Sequence, residues 1–69
     1  MLNEKQRAVV IAFADNDMSL TKTASAVFYS AANIQHYLRK IAQLTGLDPK
    51  KFYDLVELVR KIKEDQNGI

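Results

Sequence analysis

Cysteine and tryptophan are absent from these 69 residues, histidine and proline occur once each, and glycine occurs twice. Without cysteine there is neither a disulfide framework nor a thiolate zinc site, and His36 alone cannot form a Cys/His nucleophile pair. A reducing, cytoplasmic setting is therefore expected. Histidine is the residue type best suited to proton transfer near neutrality, and no Ser-His-Asp or paired-carboxylate arrangement can be assembled around His36. Gly46 and Gly68 lie far apart and neither opens a helix, which excludes a glycine-rich phosphate loop. An enzyme is not expected, nor a metal site or other cofactor. Long hydrophobic runs are missing too. The apolar stretch 8–14 falls far short of the roughly 20 residues that span a bilayer, and the N terminus lacks the layout of a secretory signal. No membrane association is expected.

What is present fits one small packed domain: 48% of the residues are hydrophobic and 26% charged. A domain of this size without staples has a stability margin of about 3–5 kcal/mol, so self-association would help it materially. The net charge of +2 is unevenly spread. Residues 1–18 carry Lys5 and Arg7 against Glu4, Asp15 and Asp17; residues 53–69 carry Arg60, Lys61 and Lys63 against Asp54, Glu57, Glu64 and Asp65. Each end is thus −1, and the middle, with Lys22, Arg39, Lys40, Lys50 and Lys51 against Asp48 alone, is +4. Such a middle can face a polyanion while the ends face water or protein.

Hydrophobic periodicity predicts four helices and no strand. Asn3 with Gln6 forms a capping-box pattern ahead of a helix over 4–15, whose buried stripe is Val9, Val10 and Phe13. Asp15, Asn16 and Asp17 read as a turn. Ser19 caps a second helix over 20–28, with Leu20, Ala24 and Val27 at helical spacing. Only Tyr29 and Ser30 separate it from a third helix over 31–45 that ends at Gly46, so the two must meet at a tight angle, as in a helix-turn-helix. Asp48 and Pro49 are placed to cap and begin a fourth helix over 49–63, leaving a tail over 64–69. Phe52, Leu55, Val59 and Ile62, widened by Val56 and Leu58, give that helix more apolar surface than one domain core needs, and are the expected homodimer interface. The expected fold is all-α: a four-helix, homeodomain-like helix-turn-helix domain occupying 1–69, without the hairpin wing of winged variants.

The third helix carries the functional argument. Ile34, Leu38, Ile41 and Thr45 fall on one side, with Tyr37 and Leu44 at its margin, and this is the expected buried face. The opposite side carries Ala31, Ala32, Gln35, His36, Arg39 and Gln43, with no acid among them. A B-DNA major groove admits one helix, N-terminal half against the base edges. In that pose Ala31 and Ala32 permit close approach and touch thymine methyls, Gln35 pairs with adenine, Arg39 takes guanine or a phosphate, and His36 donates to either. Lys22, Ser30, Asn33, Lys40, Lys50 and Lys51 suit phosphates, which position the protein without reading sequence. Blander roles stand beside these. Ser30 caps its helix with or without DNA, Lys50 and Lys51 can simply be solvated, Asn33 can cap locally, and His36 is as readily an ordinary surface residue. Tyr29 and Tyr37 read as packing residues.

The run Thr23-Ala24-Ser25-Ala26-Val27-Phe28-Tyr29-Ser30, then Ile34, then Tyr37-Leu38-Arg39-Lys40-Ile41, then Leu44-Thr45-Gly46-Leu47-Asp48-Pro49, then Phe52 and Leu55, resembles the C-terminal helix-turn-helix domain of PucR-type regulators, including the sugar-diacid regulators. Leu44 to Pro49 is the most specific part; the first half alone is also similar to LysR-type N-terminal domains, which lack that ending. The resemblance spans 21–58 and implies bacterial or phage transcriptional control. It also has two departures. The family's usual His-Arg-Asn-Thr and Tyr-Arg are here Ser30-Ala31-Ala32-Asn33 and His36-Tyr37, so a relative's operator does not transfer. Family members also carry this domain at the end of a longer regulator, which leads to the expectation that the signal input is missing here or is supplied by a separate signal-sensing protein partner.

The expected function is sequence-specific binding of double-stranded DNA by a homodimeric transcriptional regulator. Two rivals remain: a protein–protein adaptor or assembly protein that reuses the fold, and a helical dimer that is only a structural element of a larger complex.

Overall fold

The computed structural model describes residues 2–67, with side chains as far as Asp65. It contains α1 (Glu4–Asp15), α2 (Leu20–Val27), α3 (Ala31–Thr45) and α4 (Phe52–Asn67), and no strand among the described residues. α1 is the central element: it packs against each of the other three, α2 packs on α3, and the backbone of α4 approaches α1. The core comprises Val9, Val10 and Phe13 of α1, Ala24 of α2, Ile34, Leu38 and Ile41 of α3, and Leu55, Leu58 and Ile62 of α4.

The helix starts are set by side chains that accept backbone N–H groups left without intrahelical partners. Asn3 and Gln6 form the reciprocal capping box, with Gln6 N donating to Asn3 Oδ1 at 2.8 Å and Asn3 N donating to Gln6 Oε1 at 2.9 Å. Packing of Gln6 into this bond leaves it buried despite its polarity. Ser19 and Ser30 cap α2 and α3 by accepting from Lys22 N and Asn33 N. Thr23, fully buried on α2, is a core position outside the apolar pattern; its hydroxyl donates to the Ser19 carbonyl at 2.6 Å.

The helix ends share one device. α1 and α2 close in Schellman motifs: Met18 N donates to Phe13 O and Asp17 N to Ala14 O after α1, and Tyr29 N donates to Ala24 O and Phe28 N to Ser25 O after α2. α3 ends in Gly46, whose N–H donates to Ala42 O. Each closing residue is left-handed, with φ of 57° at Asp17, 61° at Phe28 and 74° at Gly46, and Met18 follows Asp17 at 60°. The helix expected over 20–28 accordingly ends at Val27, with Phe28 as its cap.

The fourth helix starts three residues later than the position of Pro49 suggested. Asp48 Oδ1 accepts from Lys50 N, Lys51 N donates to Asp48 O, and Asp48 N donates to Asp54 Oδ2, so Asp48 closes a turn instead of capping a helix. Pro49 is buried in that turn. α4 then extends to Asn67, through much of the expected tail; positions 68 and 69 lie outside the described residues. No helix among the described residues is long and apolar enough to cross a membrane.

Candidate nucleic-acid interface

α3 divides by side. Ile34, Leu38 and Ile41 are buried, Thr45 and Tyr37 are half-buried, and Leu44, at the margin, is exposed. On the other side Ala32, Asn33, His36, Arg39, Lys40 and Gln43 are exposed, and Ala31 and Gln35 are half-buried. Neither Gln35 nor Arg39 is sealed inside the molecule. Tyr29 stacks on Tyr37 with ring centroids 5.5 Å apart and planes within 3°, bracing the segment before α3 against its second turn. Hydrogen bonding from Tyr29, then desolvation, then charge repulsion hold the Tyr37 phenol above its ordinary value. The His36 and Tyr37 rings are steeply inclined to each other, at 73°, with centroids 6.4 Å apart.

The electrostatics of this side are one-signed. No aspartate or glutamate occurs over residues 18–47, which include all of α2 and α3. Neither helix has an acid in its first turn, so no carboxylate of the chain's own offsets their positive N-terminal dipole ends there. Lys22, Arg39, Lys40, Lys50 and Lys51 are all exposed and form no ion pair among the described residues. α4 contrasts with this: Arg60 bridges Glu57 and Glu64 on the same helix. The hydrogen bond from Arg60 holds the Glu57 carboxyl below its usual range, and the two carboxylates raise Arg60 in turn.

The fold brings some of the proposed contact residues together. Arg39 and Lys50, eleven positions apart in sequence, share the rim of a shallow pocket of about 260 Å³ between the end of α3 and the following turn. Asp48 lies on the same rim, with its carboxylate engaged by the Lys50 backbone N–H. Ser30 Oγ accepts from Asn33 N at 3.1 Å, so its capping role is present in the free chain, and its hydroxyl hydrogen remains available to a phosphate. Lys22 stands apart in the first turn of α2. No group of three histidine, aspartate or glutamate side chains among the described residues could hold a metal ion.

The expected dimer stripe splits in two. Leu55 and Ile62 are each 3% exposed and belong to this chain's own core, so they are not available to a partner. The 100° step per residue explains it: Leu55, Leu58 and Ile62 turn towards α1, while Phe52 and Val56 turn outward and Val59 sits at the edge. Phe52, Tyr53 and Val56 are exposed at 61%, 84% and 47%. Beside them runs a groove of about 420 Å³ lined by Ala14, Asp17, Met18, Phe52, Leu55, Val56 and Val59. The reading of the sequence also passed over Phe28, whose ring is 93% exposed; a glycine or asparagine there would have signalled the left-handed cap, and a phenylalanine does not.

Residues 6–63 match the family model of the PucR C-terminal helix-turn-helix domain, a wider span than the quoted motifs cover. No curated protein and no solved structure matches the chain.

Proposed function

Since the chain belongs to the PucR C-terminal helix-turn-helix domain family, we propose that it is a sequence-specific, double-stranded DNA-binding regulator of transcription, bacterial or phage in origin, acting in the cytoplasm as a homodimer. Membership of the family points to DNA binding and transcription regulation, not to an enzyme. The observation that carries the finer reading is the exposed, acid-free side of α3 flanked by unpaired cations. In this reading α3 lies in the major groove. Gln35 reads adenine, Arg39 reads guanine or clamps a phosphate, His36 donates to a base, and Ala31 and Ala32 allow close approach. Lys22, Ser30, Asn33, Lys40, Lys50 and Lys51 hold phosphates.

Dimerisation through the outer side of α4, with Phe52, Tyr53 and Val56 as anchors, leaves α3 free because α4 packs on α1. Two-fold symmetry would then set two recognition helices about 34 Å apart on a pseudo-palindromic site.

Titration of random-sequence duplex with purified protein at several salt concentrations tests the reading. Four lysines on phosphates predict a slope of log K against log salt of about −3.6 per bound chain. Absence of salt-dependent binding to any duplex would favour the adaptor reading instead.

A further inference from the structure

Four of the described residues lie in the left-handed region, and three have an evident accommodation. Gly46 has no Cβ to clash, Asp17 is of a type that tolerates the region, and Met18 places its side chain against the core. Phe28 has none of these. A bulky side chain at φ 61° is a steric outlier, and its ring, 93% exposed, recovers nothing by packing. The Schellman bonds at this corner need only a residue that accepts the conformation; they make no use of a phenyl group. Glycine would serve the fold better, so the ring calls for a role outside it.

Phe28 stands two residues before the Ser30 cap of α3, at the end of the helix that enters the groove, and in the middle of the acid-free segment 18–47. Surroundings without an acid on either side of an apolar spot suit a partner that is itself anionic, and a nucleic acid offers apolar sugar and thymine-methyl surface inside a shell of phosphates. We propose that the exposed phenyl ring of Phe28, held in a left-handed cap beside the N terminus of α3, is a DNA contact that packs on deoxyribose and thymine-methyl surface at the edge of the half-site. This rests on the DNA-binding reading and adds to it an apolar contact that the polar residues of α3 do not supply.

The experiment compares wild type, Phe28→Gly, Phe28→Asn and Phe28→Tyr in thermal melting and in binding to duplexes selected from a random library by the wild-type protein. Gly and Asn both accept the left-handed cap, so both variants melt at or above the wild-type temperature, yet each binds the selected duplex about tenfold more weakly. The salt slope stays the same, because no charge has changed. Phe28→Tyr keeps wild-type affinity. Replacing thymine by uracil in the selected duplex weakens wild type more than Phe28→Gly. If wild type selects and binds duplexes and both Phe28→Gly and Phe28→Asn bind them equally well, the ring is not a DNA contact and only this inference falls. If wild type binds no duplex at all, the DNA-binding reading falls and takes this contact with it.

Discussion

Gln35 and Arg39 carry the specificity in this account, and their surroundings suit that role. Arg39 is exposed without an acidic partner among the described residues, and Gln35 is half-buried one turn nearer the start of the same side of α3. A bidentate base contact is worth about 1–3 kcal/mol of discrimination, so Gln35→Ala should relax preference at one base position with little change in the salt slope. Lys22→Ala should weaken all sequences alike and make the slope shallower by about 0.9; parallel titrations on selected and random duplexes separate these outcomes. Phe28 makes the opposite trade. Left-handed geometry costs a residue with a Cβ about 1–2 kcal/mol, partly offset by the greater unfolded-state freedom of glycine, so Phe28→Gly should gain about 0.5–1 kcal/mol in denaturant unfolding.

At the scale of elements, what could be read from the sequence was what local chemistry dictates. Asn3 with Gln6, and Ser30 with Gly46, specify both ends of α1's first turn and of α3, because capping bonds span only three or four residues. Ile34, Leu38 and Ile41 were likewise legible by period, and Ile34→Ala or Leu38→Ala should cost about 2–5 kcal/mol, enough to unfold a small domain in thermal melts monitored by circular dichroism. Legibility failed where a distant residue decides. Asp48 and Pro49 look like a helix start, but the Asp54 carboxylate takes the Asp48 N–H and the helix begins at Phe52. The stripe on α4 could not be divided between core and surface from periodicity alone, since Leu55 and Ile62 are assigned to the core by where α1 lies against them. Phe28 was hidden for a related reason: the tertiary turn imposes its φ, and its side chain carries no mark of it.

For the molecule as a whole, α1 separates two surfaces of different chemistry. One is the acid-free side of α2 and α3; the other is the outer side of α4, where Arg60 is neutralised by Glu57 and Glu64 and apolar rings are exposed. The first suits a polyanion and the second a protein surface. Val56→Lys, on the exposed side of α4, should abolish self-association in sedimentation and lower the melting temperature only to that of the folded monomer, which no longer varies with protein concentration; Val59, half-buried, would confound loss of the dimer with loss of the core. Loss of the dimer should also convert a pseudo-palindromic footprint to a weak half-site. The central claim, that α3 reads DNA, is tested most directly by selecting bound duplexes from a random library with wild type and with a Gln35→Ala/Arg39→Ala variant that melts like it. The account predicts that wild type enriches a short motif and that the variant enriches none; a motif recovered identically by both proteins would contradict it.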